Sequence, residues 1–335
     1  MRRIYATAII SLFSLLSIVS HAEEKPKLTV YTYDAFAADW GPGPRVKEAF
    51  EAGCDCVLEF VAMDSSIGIL RKIQLEGEST TADIALGLDT NLISIAGSTG
   101  LFAPSGSSAD NLDLPVEWDD PVFVPFDYGY FAFVFNKEVV RQAPDSFEAL
   151  AAMPDDFKII IQDPRSSTPG LGLLLWIKAA YGDQATAMWE RLAPKILTVT
   201  KGWSEAYGLF LKGEAEMVLS YTTSPAYHLI AEDDDRFDSA AFTEGHYLQI
   251  EVAAMLQSSP RKELAQEFMA FISTDAFQRV IPTTNWMFPA AKTATPLPER
   301  FAAIRHPEKS LLMESAEVEQ NRRQWVAEWL STIGG

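Results

Sequence analysis

Strand-length apolar runs alternate with longer segments of helical period along this chain, and that alternation constrains the fold more than any single residue. Residues 28–33 read as a strand, residues 44–51 place Val46, Ala49 and Phe50 at helical spacing, and 57–61 return as a second strand. A helix follows around Ile69, Leu70 and Ile73, then a strand over 83–88 and a helix over 91–100 that Gly100 closes. This βαβα order predicts a parallel sheet with helices on its faces. Residues 123–135, rich in aromatic and β-branched side chains, are too long for an average strand and predict a crossing between two lobes. Beyond them the alternation restarts, with strands at 157–161, 197–200 and 217–221 and helices at 171–181, 185–192, 204–212 and 224–231. Residues 247–255 read as a return strand, followed by an amphipathic helix carrying Leu264, Phe268, Phe271 and Ile272, and a last helix spans 318–330. The expectation is an α/β protein of two lobes joined by extended crossings, with a ligand cleft between them. One lobe takes 27–124 plus 246–280 and the other 125–245 plus 281–335.

Charge narrows the partners. The chain carries 27 Lys and Arg against 46 Asp and Glu, a formal charge of -19, which excludes the basic surface that nucleic acid requires and is repelled by an anionic membrane. The first 22 residues have the layout of an export signal: Arg2 and Arg3, an apolar run over 4–19, and Ser20-His21-Ala22 with small residues at the -3 and -1 positions of a cut. A retained membrane anchor is the competing reading; the short apolar core and small-residue exit favour cleavage after Ala22. Cleavage leaves 313 residues with a formal charge of -21, an exported acidic protein. Cys54 and Cys56 are the two cysteines; they set no disulfide framework and no repeated metal-ligand spacing, and their redox state is left open.

In open parallel sheets a ligand crevice lies beyond the carboxyl ends of the strands, so the loops there matter most. The first strand runs into Tyr33-Asp34-Ala35-Phe36, and the strand near 159 into Gln162-Asp163-Pro164-Arg165-Ser166-Ser167-Thr168-Pro169. The second of these puts hydroxyls before a proline at a helix start, an arrangement that serves either as an ordinary N-cap or as an anion site. Lys201-Gly202-Trp203-Ser204 opens another helix, Ser220-Tyr221-Thr222-Thr223-Ser224-Pro225-Ala226-Tyr227-His228 follows a strand, and 281–289 forms an aromatic loop between prolines around Trp286. A single Tyr or Trp is usually a packing residue. Several converging on one cleft of an acidic protein favour a flat or cationic ligand, because aromatic faces carry negative quadrupole charge.

These segments, together with Phe126-Asp127-Tyr128-Gly129-Tyr130 and Glu244-Gly245-His246-Tyr247-Leu248-Gln249, resemble the periplasmic thiamine-binding proteins of bacterial ABC uptake systems from about Leu28 to the C-terminal helix. The resemblance implies a two-lobed periplasmic binding protein fold of the second structural type. It also implies capture of thiamine and its phosphate esters in the periplasm, delivery to an ABC permease of the inner membrane, a monomer, and no cofactor. Carried over by motif, Tyr33, Tyr227 and Trp286 would enclose the vitamin's rings, with Ser167, Thr168, Trp203 and Tyr221 near its hydroxyethyl or phosphate end. After the second strand this chain reads Asp64-Ser65-Ser66 where the family pattern reads Glu-Asp-Gly; the three residues complete the candidate ligand set.

The same residues bear on three other readings. A thiaminase of similar fold would need a Cys nucleophile with a carboxylate, but Cys54 and Cys56 fall between a helix and the next strand, at the amino edge of the sheet. His228, His246 and His306 show no metal spacing, and His246 reads as a hinge or packing residue. Iron-binding relatives use adjacent tyrosines, whereas Tyr221 and Tyr227 are separated by five residues. A polyamine suits acidic aromatic boxes and stays open on composition.

Overall fold

The computed structural model describes residues 25–304 and 306–333. The export-signal reading of residues 1–22 lies outside them. One mixed sheet runs through both lobes in the order β2-β1-β3-β10-β5-β8-β6-β7. Its strands are β1 (Lys27–Tyr33), β2 (Val57–Met63), β3 (Ile84–Asp89), β4 (Phe102–Ala103), β5 (Val124–Asn136), β6 (Ile159–Gln162), β7 (Ile196–Thr200), β8 (Met217–Tyr221), β9 (Phe237–Ser239), β10 (His246–Leu256), β11 (Phe288–Pro289) and β12 (Ser310–Leu311). In the first half β1 lies parallel to β2 and β3; in the second, β6 lies parallel to β7 and β8. Helices cover both faces of such parallel runs, which is why Leu28 to Thr32 of β1 and all of β3 are buried rather than alternating.

Two long strands join the halves. β5 pairs through Val124–Tyr130 with β10 and through Phe131–Phe135 with β8, so one strand belongs to both halves of the sheet. β10 pairs in turn with β5 and, over Glu251–Met255, with β3. The crossing expected over 123–135 is thus a single buried strand of 13 residues, and the return strand expected at 247–255 its partner of 11. Both halves of the central pairing are interrupted at one level: the register shifts between Val252 and Ala253 against β3, and between Glu251 and Val252 against β5. On β3 the extra residue is Gly87, whose φ of +102° and whose closeness to the Tyr33 ring exclude a side chain; a Cβ there would lie 2.4 Å from Tyr33 Cδ1.

Several boundaries differ from the sequence reading. The helix expected over 91–100 is Ile93–Ser98, because Asp89 accepts from the Asn91 N–H and turns the chain first. Residues 281–289 are not one loop: Ile281–Thr284 form a helical turn after which Phe288 and Pro289 pair with β5. Cys54 and Cys56 form a disulfide at the amino edge of the sheet, between helix Gly43–Glu51 and β2. Helix Ser315–Ile333 lies across both halves: Glu319 accepts from Ser94, and Glu328 pairs with Lys178 at 2.7 Å. Among the described residues no helix is long and apolar enough to cross a membrane.

Candidate binding cleft

Apart from Tyr227 and Trp286, the candidate residues lie at the carboxyl end of a strand or where the following helix begins. Tyr33 ends β1, Asp64 to Ser66 follow β2, Ser167 and Thr168 follow β6, Trp203 follows β7, and Tyr221 ends β8. Tyr227 lies on helix Pro225–Ala231, and Trp286 sits between Ile281–Thr284 and β11. The structure arranges them in two groups around a floor that the sequence reading did not include.

That floor is a polar network on the joining strands. The Tyr33 hydroxyl donates to Glu251 Oε2 at 2.7 Å and accepts from Asn285 Nδ2 at 2.8 Å. Asn285 Nδ2 also donates to Asp127 Oδ2 at 2.5 Å. Gln249 donates to Glu251 Oε1 at 2.9 Å, and the Tyr221 hydroxyl donates to Gln249 at 2.9 Å. Tyr33 and Tyr221, from the two halves of the sheet, are thereby tied to the same pair of β10 residues. Register places Glu251 opposite Asp89 on β3 and opposite Asp127 on β5, so three acidic residues stand in a row across three adjacent strands. All three are buried. Burial pushes the Asp127 carboxyl up to about 7, and burial plus repulsion from Asp127 holds Glu251 well above the usual carboxylate range. Burial also lifts Asp89 to about 6, against the Asn91 N–H, the Arg322 charge and the Thr168 hydroxyl. Tyr33 and Tyr221 are pushed up, first by burial and then by these carboxyls, and remain protonated donors.

The aromatic group stands beside it. Trp286 packs edge to face on Tyr227, with ring centroids 5.3 Å apart. Its backbone has φ of +56°, a left-handed conformation that a bulky residue adopts at a cost of about 1–3 kcal/mol and that concentrates at ligand clamps. The neighbours that hold it are the Ile281 carbonyl, which accepts its N–H at 3.1 Å, and Asn285, pinned between Tyr33 and Asp127. Trp203 is differently engaged: it stacks on Tyr207 at 4.9 Å and donates its indole N–H to Ser220 at 2.7 Å, one residue before Tyr221. It forms part of the wall behind Tyr221.

The second group joins two helix N-termini. Ser65 caps helix Ser66–Glu76 by accepting from the Gly68 N–H at 3.3 Å, and Ser167 occupies the cap position of helix Thr168–Tyr181. The hydroxyls of Thr168 and Ser66 meet at 3.0 Å, bringing the two helix starts together across the cleft. Ser167 does not cap: its hydroxyl is buried and has no partner within the protein. Pro169 lies in the first turn, where its missing N–H costs nothing. At the exposed rim Lys201 forms an ion pair with Asp64, the second link between the two sides.

The structure therefore joins Tyr33 and Tyr221 through Gln249 and Glu251, Tyr227 to Trp286, Ser66 to Thr168, and Asp64 to Lys201. Asp89, Asp127, Gln249, Glu251, Asn285 and Lys201 were missed. A signal existed for two of them: Asp127 and Glu251 are single acids inside long apolar runs, where an unpaired charge is expensive. His246 is a packing residue, its two ring nitrogens bonded to the Phe131 carbonyl and the Phe242 N–H. Among the described residues no group of three or more His, Cys, Asp or Glu side chains could hold a metal ion.

Two α/β lobes joined by crossing strands, with polar and aromatic residues gathered at the strand ends between them, define a two-lobed solute-binding protein. Comparison with known proteins gives the same class: residues 30–279 match the family of bacterial extracellular solute-binding proteins. A thiamine-binding periplasmic protein of Escherichia coli is 53% identical over 309 residues, 92% of this chain and 94% of that one. One of Brucella abortus is 52% identical over 329 residues, 98% of each. A solved structure of a periplasmic thiamin binding protein superposes with a TM-score of 0.90 at 53% identity, covering 92% of this chain and 96% of that one. The chain belongs to the thiamine-binding periplasmic proteins, a branch of the bacterial extracellular solute-binding family, whose members bind for transport and are not enzymes.

Proposed function

We propose that this protein captures thiamine and its phosphate esters in the periplasm, as a monomer, and delivers them to an ABC permease of the inner membrane. The observation that carries the reading is the polarity of the cleft. One end offers buried carboxyl groups and the Tyr227–Trp286 pair, suited to a flat cation. The other offers two helix N-termini and the unpartnered Ser167 hydroxyl, suited to an anion. Thiamine joins a thiazolium cation to a hydroxyethyl group that carries the phosphates, so one molecule of this class addresses both ends. In this reading Tyr33, Tyr227 and Trp286 enclose the rings. Ser66, Ser167 and Thr168 receive the hydroxyethyl or phosphate end, Asp64 and Ser65 hold the rim and the helix cap, and Trp203 and Tyr221 shape the wall. The lobes are 27–124 with 246–280, and 125–245 with 281–335; they close over the ligand about the crossing strands.

Calorimetry of ligand-stripped protein with thiamine, its mono- and diphosphate and spermidine tests this. Thiamine and its esters are expected to bind at least about a hundredfold tighter than spermidine, which carries charge but no ring to stack. Binding of spermidine with no heat from thiamine would overturn the reading in favour of a polyamine carrier.

A further inference from the structure

The buried row of Asp89, Glu251 and Asp127 is a poor way to hold a sheet together. Three acids side by side on adjacent strands repel one another if ionised, and apolar side chains of similar volume would serve those strands better. Nor is the row satisfied from within: Asp127 Oδ1 and Asp89 Oδ2 have no partner in the protein although both residues are fully buried. The groups facing it are mostly neutral. From β1 comes the Tyr33 hydroxyl, from β8 the Tyr221 hydroxyl, from β10 the Gln249 amide, and from the turn before β11 the Asn285 amide. From helix Ser315–Ile333 comes Arg322, which faces Asp89 and is itself repelled by Arg71 of helix Ser66–Glu76. Asp89 thus has a counter-charge in the chain, while around Asp127 and Glu251 the hydrogen bonds come from neutral donors.

We propose that Asp127 and Glu251 share a proton in the free protein and release it when a cation enters the cleft, so that the pair selects for positive charge by exchanging a proton for it. The O–H bond of the shared carboxylic acid breaks, the proton passes to solvent, and the ligand's fixed charge takes its place; the charge of the site is unchanged by the exchange. The elevated titration of both groups agrees with a proton held near neutral pH. The two bulges that immediately follow Glu251 sit beside the pair, which meets Tyr33 and Asn285 next to Trp286. This inference rests on the reading of thiamine as the ligand and adds to it a means of discriminating charge.

The test is titration calorimetry with thiamine near pH 7 in two buffers of different ionisation enthalpy, whose difference in heat counts the protons released. The expected count is about half to one proton per thiamine, with affinity at about pH 8 at least about threefold tighter than at about pH 6.5. Glu251→Gln, its fold checked by a thermal melt, should still bind thiamine while releasing less than about half as many protons as wild type. Thiamine binding with equal heats in the two buffers and flat affinity over this range overturns the inference alone. A Glu251→Gln protein that releases as many protons as wild type overturns the role of the pair. Absence of thiamine binding at every pH overturns the proposed function together with it. Should the variant fail to fold, the wild-type proton count decides.

Discussion

The two ends of the cleft handle charge by opposite means. At the hydroxyl end, the polar groups are backbone amides of two helix starts with short side chains, Ser66, Ser167 and Thr168, all supplied by turns of a few residues. At the floor, the polar groups are full carboxyl groups from three strands that are far apart in sequence, Asp89, Asp127 and Glu251. The first presents helix dipoles and hydroxyls that favour an anion, and the one buried acid that reaches it, Asp89 through the Thr168 hydroxyl, has Arg322 as its counter-charge. The second buries ionisable groups and is stable only while they are protonated or matched by a cation. One end is therefore fixed in its charge and the other adjusts, and mutations at the two ends should separate by ligand and by pH.

The largest effect is expected at the adjustable end. A desolvated cation against an indole face contributes about 2 kcal/mol or more, so Trp286→Ala should weaken thiamine and its monophosphate alike by at least about tenfold. Trp189, buried against Trp329 at 6.3 Å, supplies the contrast. Trp189→Ala should lower stability by about 3 kcal/mol or more while folded molecules keep their affinity. Calorimetry and a denaturant melt read the two quantities. Unchanged thiamine affinity in Trp286→Ala would remove that indole from the site and with it the polarity on which the comparison rests.

Ser167 separates the ends by ligand. Its hydroxyl is buried without a partner, and charge-assisted hydrogen bonds contribute about 1.5 to 3 kcal/mol. Ser167→Ala should weaken thiamine monophosphate about tenfold and thiamine by less than about threefold. Because the hydroxyl caps nothing, the variant should lose little thermal stability. Equal losses for both ligands would make Ser167 a general cleft residue, and the phosphate would have to be sought elsewhere.

The same contrast governs what was legible in the sequence. Half of the hydroxyl end was readable because its parts are local: Ser166-Ser167-Thr168-Pro169 announces a helix start within four residues, whereas Asp64-Ser65-Ser66 entered only through the family resemblance and is shown to be a second helix start by the structure. The strand ends carrying Tyr33 and Tyr221, and the helix start carrying Trp203, were set by alternation along the chain. Asp127 and Glu251 stand out singly in their apolar runs, but their meeting was not readable, because they come together only through the register of β5 against β10, and Asp89 joins them only through β3 against β10. Two bulges set that register, one of them at Gly87, and nothing in the sequence around Val252 announces the shift. The left-handed backbone of Trp286 is equally invisible, since its reason lies in Asn285 bridging Tyr33 and Asp127.

A stability measurement sharpens the claim that the floor adjusts its charge. Asp127 is held above its ordinary value in the folded protein, so its contribution to stability is full below the ordinary carboxylate range near pH 4 and is lost as pH rises through about 7. Ligand-free wild type should therefore lose stability between about pH 5 and about pH 8, and Asp127→Asn should lose less. The variant should melt several degrees higher than wild type at the upper pH and close to it at the lower one. Saturating thiamine should remove most of the wild-type decline, since the cation stabilises the ionised pair. Parallel melting curves for the two proteins across this range would mean that Asp127 does not titrate there.

The smallest effect is expected at the rim, where Lys201 and Asp64 join the two sides of the cleft. Both side chains are about two-thirds exposed, and an ion pair held in water gains little, because solvent screens the attraction and two long side chains lose freedom in making it. The Ser66–Thr168 contact beneath it is buried and unaffected by salt, so it rather than the ion pair should set how firmly the helix starts meet. Lys201→Ala should accordingly change thiamine affinity by less than about threefold at physiological ionic strength, with the difference vanishing in about 1 M salt. For the monophosphate the loss should be somewhat larger, because Lys201 stands at the end of the cleft assigned to the anion. A tenfold loss for thiamine itself that survives high salt would show that the rim, rather than the buried contact, carries closure, and the contrast between a fixed and an adjustable end would have to be redrawn around Lys201.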